Sequence, residues 1–445
     1  VARRQVHLNV NILNAGVFGG AWRFPGADPE ASFGLDHYVR IARTAEAGKF
    51  DAIFLADGPA LRDDIRFRPF NSLEPSVILA AVAAATERIG LIATLSSSYN
   101  DPYDVARRFA TLDLLSGGRA GWNVVTTAGA ESARNFGYDD EFDHTTRYRR
   151  AAEFVDVVRK LWNSWEPGAL VGDKAAHRFA DVDRIHRIDH RGEFFDVAGP
   201  LNVPRSPQGE PVIVQAGASD AGRALAATVG EVIFTAAQTV AEASEYRRDV
   251  SARAAAAGRP PGSFLVLPGL STVIGATERE AAERRALLDE LVPTEYALNR
   301  LADQLGVDPE VLQPDSPLPF DSLPDPRAAG GSHTFRRVAV DLARRENLTV
   351  RQLLRRLGGG LGHRIVTGTP EQVADTIVEW VEAGVADGFN LMPDVLPGGL
   401  DDFVTGVVPI LQRRGVFRAE YRGSTLRSHL GLPIPEPIRT PEVAR

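Results

Sequence analysis

The chain of 445 residues contains no cysteine and a single methionine. That removes disulfides, thiol nucleophiles, iron–sulfur clusters and cysteine zinc sites from its chemistry. Lysine is scarce too, occurring only at Lys49, Lys160 and Lys174, so arginine carries nearly all the basic charge. The accompanying richness in alanine and glycine fits a genome-level base bias, and an isolated arginine here says little about function. There is no basic block, and 50 basic against 58 acidic residues leave a net charge of −8. That balance argues against nucleic acid as the main partner. Long hydrophobic runs are also missing. The longest, 77–85, falls far short of the roughly 18 residues a membrane span requires. Arg3-Arg4 ahead of apolar residues has the outline of an export signal. However, Val6, Leu8, Val10 and Ile12 alternate with His7, Asn9 and Asn11, which is strand period. The expected location is cytoplasmic, with no membrane association.

What is present is ordinary for a globular protein: 44% apolar and 24% charged residues. At roughly 150 residues per domain the length suggests about three domains, but α/β barrels run long as single ones. Short apolar strands are expected at 6–13, 50–57, 89–95, 119–126, 211–217, 231–236, within 263–275 and at 388–393. Between them lie helical patterns at 35–48, 75–85, 102–115, 146–165, from Ser219, up to about Ala257, after Thr277 and at 400–414. Asp101-Pro102 reads as a helix start, because the carboxylate caps free N–H groups and proline presets φ. Eight strands alternating with helices predict a (β/α)8 TIM barrel. A doubly wound sheet would often carry G-x-G-x-x-G after its first strand; here that position is 15–20, AGVFGG. Residues 1–445 are therefore read as one barrel domain with insertions at 168–210 and 293–365 and a tail at 415–445. The first insertion holds an alternating strand-like stretch, and the second a proline cluster (Pro314, Pro317, Pro319, Pro324, Pro326) and the glycines at 358–360. Long βα insertions in barrels often become lids, so these are expected to be lid-forming.

A barrel's working face is the C-terminal end of its strands. Those ends read Asp57, Thr94, Asn123 with Thr126 and Thr127, Gln215 to Ser219, and Asn390. They are mostly neutral hydrogen-bonding groups, which suit a polar cofactor better than a metal or an acid/base pair. Helix capping is the plain alternative for any one of them. At 214–222, VQAGASDAG, a buried strand runs through a glycine turn into a helix. The N–H groups of Gly217, Ala218 and Ser219 with the Ser219 hydroxyl suit an anion. A serine cap is the bland reading. A hydrolase elbow is disfavoured because Ala221 stands where G-x-S-x-G needs glycine. His186 and His190 are four apart in a strand-like stretch without a third ligand, so no metal site is expected. His363, beside the glycine run, either lines a lid or caps the chain locally.

The segment TERIGLIATLSSSYNDPYDVARRFATLDLLSGGRAGWNVVTT (86–127) resembles the bacterial-luciferase-like flavin monooxygenases. The subgroup it resembles holds nitrilotriacetate, EDTA and dibenzothiophene-sulfone monooxygenases. GGAWRFP (19–25), ESARNFG (131–137), QAGASDAG (215–222), GTPEQVAD (368–375) and DGFNLMP (387–393) match in order. The resemblance implies a two-component enzyme using reduced FMN supplied by a separate NAD(P)H:flavin reductase. It also implies that O2 is used through a flavin hydroperoxide or peroxide to oxidise or cleave a small organic substrate. Candidate substrates are amines, heterocycles, sulfur compounds and chlorinated aromatics, with riboflavin lyase as a member of the group. By carry-over, Asp57, Thr94 and Asn123 lie near the flavin ring, and Tyr148, Gly217, Ala218 and Ser219 at its phosphate. Asn123, Thr127 and His363 are the catalytic candidates. A homo-oligomer is a further family expectation. Relatives often carry histidine before G-A-W-R, where this chain has Val17-Phe18-Gly19, and two serines at Ala218-Ser219. The rivals are a deazaflavin-dependent hydride-transfer enzyme on the same barrel and a non-catalytic flavin-binding protein.

Overall fold

The computed structural model describes residues 5–70, 73–217, 219–324, 333–358 and 362–437. Ala218, Pro326 and the glycines at 359 and 360, all singled out above, lie outside them, as does the end of the tail.

Nine parallel strands make the main sheet: β1 (His7–Asn11), β2 (Ala52–Leu55), β3 (Gly90–Ser96), β4 (Ala120–Val125), β5 (Val212–Ala216), β6 (Val232–Thr235), β7 (Leu265–Ile274), β8 (Arg364–Gly368) and β9 (Gly388–Pro393). Eight of them close a ring in the order β1 to β7, then β9, which pairs back onto β1. This is the (β/α)8 barrel expected from the sequence, and all eight foreseen strands are present. The ninth, β8, lies against the upper half of β7, Ile365 opposite Ser271.

Strand alternation divides the core in two. Outward residues such as Leu8, Ile53, Leu91, Trp122 and Phe389 pack on Ile41, Leu79, Phe109, Phe154 and Trp380 from the surrounding helices. Inward residues Ala52, Phe54, Ile92, Val212, Val214, Val232 and Leu267 fill the barrel. The helices start where the sequence says they should. Asp101 accepts from the Tyr103 N–H at 2.9 Å, Glu74 from Val77 at 2.8 Å and Thr277 from Glu280 at 3.2 Å.

Three features of the insertions and the tail bear on function. First, the insertion 168–210 starts and ends below the barrel. It connects the end of helix α4 (His144–Trp162) to the start of β5, so its ends lie at the N-terminal face. Its hairpin lies along the outside of α4, where Glu153 accepts from the N–H groups of Phe194 and Phe195. Second, the segment 293–365 carries helices beside its proline cluster. Its helices 294–305, 333–346 and 350–357 bury Leu301, Leu305, Leu342 and Leu353 in a core of their own. Third, the tail folds beneath the barrel. Leu426, Leu430 and Leu432 join the inward-facing residues. A Cβ placed on Gly121 would lie 3.2 Å from Leu426. Arg427, buried beside them, holds Glu231 through two bonds of 2.7 and 2.9 Å. A helix over 370–382, capped by Thr369, was not foreseen.

Candidate active site

The open C-terminal end of the barrel collects neutral polar side chains. On neighbouring strands β3 and β4, Asn123 Nδ2 donates to Thr94 Oγ1 at 2.9 Å. One layer above, Thr127 donates to Ser96 Oγ at 2.7 Å. Among the described residues four buried oxygens, Oδ1 of Asn9, Asn11 and Asn123 and Oγ of Ser271, have no partner, nor has either polar atom of Asn390. By strand alternation Asn9, Asn11, Asn123, Ser271 and Asn390 all face the barrel axis. Buried polar atoms in native proteins are nearly always paired, so an array of unpaired ones marks where a polar ligand or water bonds. The donors and acceptors suit the heteroatom edges of a flat heterocycle. The signal for Asn9 and Asn11 lay in the His7-Asn9-Asn11 alternation, which was read only as strand period.

Next to this group, on β5, the chain turns into helix α5 (Asp220–Val229). Ser219 Oγ accepts from the Gly222 N–H at 3.1 Å, so the serine does cap the helix. The same hydroxyl lies 3.5 Å from the Tyr148 hydroxyl, carried there by α4. Tyr246 donates to the Gly217 carbonyl at 2.7 Å and fixes the turn, a contact the sequence did not announce. Gly217 is required by packing: a Cβ there would stand 2.8 Å from the Cα of Gly222. Tyr148, Gly217 and Ser219 thus come together around the start of a helix, where N–H groups and the helix dipole favour an anion.

Asp57 lies just past β2, at the rim. Withdrawal from water pushes its carboxyl up to about 6; the Gly58 N–H opposes this and the Glu74 charge adds to it. No side chain of the Thr94–Asn123 pair bonds to it.

His363 enters from the opposite wall. Its ring stacks on Phe234, centroids 5.0 Å apart and planes 17° apart. It rests on Gly269, where a Cβ would lie 2.8 Å from its Cγ and Cε1. Gln238 clamps the flanking backbone, donating to the Gly362 carbonyl at 2.7 Å and accepting at its own carbonyl from Arg364. Burial pushes the imidazole down to about 4, so it is neutral at physiological pH. The histidine therefore packs at the barrel mouth, between Phe234 and Gly269.

His186 and His190 are held by carboxylates of their own neighbourhood. His186 meets Glu166 at 2.7 Å and His190 meets Glu153 at 3.1 Å. Among the described residues no group of three or more His, Asp or Glu could hold a metal ion. None of the helices there is long and apolar enough to cross a membrane.

Known proteins are similar to this chain in sequence and fold. The sequence profile of the luciferase-like monooxygenases matches residues 18–387. Nitrilotriacetate monooxygenase component A of Aminobacter aminovorans is 48% identical, covering 98% of both chains. The structure of EDTA monooxygenase from Chelativorans sp. BNC1 superposes with a TM-score of 0.80 at 39% identity, over 98% of this chain and 100% of that one. A riboflavin lyase structure gives 0.84 at 35%, over 96% and 95%. A deazaflavin (F420)-dependent secondary alcohol dehydrogenase shares the barrel alone, at 16% identity and a TM-score of 0.57. The identities above 30% over nearly the whole length set the hydride-transfer rival aside. With the whole length matched and the barrel mouth built of neutral polar groups, the chain belongs to the luciferase-like monooxygenase family and is an enzyme of that kind.

Proposed function

We propose that this chain is the oxygenating component of a two-component system, using reduced FMN from a separate flavin reductase and O2 to oxidise a small organic molecule. The observation that carries the reading is the set of unpaired polar atoms at the barrel mouth beside the Tyr148–Ser219 anion site. Reduced flavin, when bound, supplies the electrons that activate O2. The chain's own residues bind, orient and exclude water.

In this reading Tyr148, Gly217 and Ser219 hold the phosphate. Thr94 and Asn123 hold one edge of the ring system, and Asp57 borders it. Thr127 and His363 face the reacting centre from opposite walls. A neutral His363 can accept a proton or offer one hydrogen bond at the reacting centre. Nitrilotriacetate, the substrate named for the bacterial relative, and riboflavin are the first compounds to test.

The decisive experiment supplies NADH, a flavin reductase, FMN and 18O2. One 18O atom is expected in the product, with none formed when reductase or flavin is omitted. Failure of reduced FMN to bind under anaerobic conditions overturns the reading. Ser219→Ala provides a finer check. It removes a hydroxyl contact of roughly 0.5–1.5 kcal/mol, so the dissociation constant for reduced FMN is expected to rise about two- to tenfold. The lost cap lowers stability by about 1 kcal/mol at the same time. Fluorescence titration and thermal unfolding read the two effects separately; an unchanged affinity removes Ser219 from the site.

A further inference from the structure

A cavity of about 460 Å³ lies between the loop after β1 and the 293–365 insertion. Val17, Gly19, Tyr296, Arg300, Arg355 and Gly362 are among its walls. It adjoins the barrel mouth. Gly362 precedes the His363 that stacks on Phe234, and the Val17 N–H bonds the carbonyl of Pro393, the last residue of β9.

The charges around this cavity are unevenly satisfied. Arg351 is paired with Asp315 at 2.8 Å, and Asp289 is held by Arg285 at 3.1 Å with the Arg355 charge nearby. Glu290 is the other acid in the wall. Arg300 is different. Its guanidinium donates to the Tyr296 hydroxyl at 2.5 Å, yet among the described residues it forms no ion pair. The nearest charges leave it short: Arg68 repels it, Asp64, which attracts it, is already 3.5 Å from Arg68, and Asp303 is drawn by Arg62 as well as by Arg300. Three guanidinium groups thus share two carboxylates at that end. Arginine stays protonated when buried, and an ion withdrawn from water without a counter-charge is unfavourable. A carboxylate brought in by a ligand corrects this, and the planar fork of Arg300 matches it in two bonds.

We propose that this cavity seats the substrate and that Arg300 anchors a substrate carboxylate, so that the chain acts on a carboxylate-bearing small molecule. Arg300 is then a specificity-determining residue, set on the insertion and away from the flavin contacts. The proposal rests on the monooxygenase reading only in calling the bound molecule a substrate.

Calorimetric titration of the full chain with glutarate, tricarballylate and the methyl esters of both tests it. The acids are expected to bind about tenfold or more tightly than the esters, the contrast of a charge-assisted against a neutral contact. Arg300→Gln is expected to abolish that contrast by weakening the acids alone. Arg300→Lys, which keeps the charge but loses the fork, is expected to restore part of it. Equal affinity for acid and ester in the unmodified protein, or no binding of either acid, overturns the proposal even where a variant fails to fold. So does a folded Arg300→Gln protein with undiminished affinity for the acids. Reduced-FMN binding is measured in parallel. Its failure sinks the monooxygenase reading and leaves the charge selectivity to be judged on its own.

Discussion

Replacing Gly269 with alanine is expected to silence turnover in a barrel that remains folded. The added methyl would lie 2.8 Å from two ring atoms of His363, and closer still to its Nδ1. Real Cβ atoms do not make such contacts, and the backbone of β7 cannot retreat, because it is hydrogen-bonded to both β6 and β9. The imidazole must therefore leave its stack on Phe234. Misplacing a group beside the reacting centre by about 1 Å is worth on the order of a hundredfold in rate, and that is the fall in kcat expected. FMN affinity and melting temperature should stay near those of the unmodified protein, since neither the Tyr148–Ser219 site nor the outer core is touched. Two further measurements tie the effect to His363. A His363→Ala change on top of Gly269→Ala should add little, as two changes acting through one group do not sum. The ring, no longer withdrawn from water, should titrate closer to its ordinary 6.5 than to 4 when followed by NMR. Full activity in Gly269→Ala would remove His363 from the reaction.

The largest effect on folding is expected from Gly388→Ala. Gly388 opposes His7 where β9 pairs with β1, the seam that closes the ring. A Cβ there would stand 2.5 Å from the carbonyl carbon of His7 and closer to its oxygen, so backbone meets side chain and no rotamer relieves it. Overpacking of this kind, against backbone that cannot yield, destabilises by about 3 kcal/mol or more, a large share of the roughly 5–15 kcal/mol that holds a typical domain together. The expected result is loss of soluble protein, or a denaturation midpoint far below that of the parent. Gly398→Ala is the control: a Cβ there meets nothing within 4 Å, and its cost should be small. If the two variants denature alike, the seam is not where the barrel is held.

The barrel itself was legible because each strand is a short apolar run ended by a turn residue, and the helix starts carry their caps openly. The 370–382 helix was equally legible. Thr369 and Gln372 form a capping box, each side chain bonded to the other's backbone N–H, the pattern of Thr-Pro-Glu-Gln. The helices of the 293–365 insertion were hidden by prolines that in fact stand between them, although Leu301 and Leu305, or Val338 and Leu342, are spaced four apart on one face. At the site, residues at strand ends could be placed by topology alone. Asn123 and Thr94 meet because β3 and β4 are neighbours, and Ser219 lies beside them because it caps the helix that follows β5. His363 could not be placed in this way. Its position depends on Gly269 lacking a side chain and on Gln238 holding the preceding carbonyl, contacts between residues about a hundred positions apart.

The Leu426–Leu430 helix under the barrel has a consequence for the order in which the protein is made. Chains emerge from the ribosome N-terminus first, and their domains fold largely in that order. Here β1 must wait for β9 to complete its pairing, and the inner layer of Phe54, Ile92 and Val214 stays open below until Leu426 and Leu430 arrive. Everything from β1 to Leu430 must be synthesised before the central core can be sealed. Until then the growing polypeptide exposes strand edges and an apolar funnel, the features that chaperones capture, and a stall before Leu426 would release a barrel with no floor.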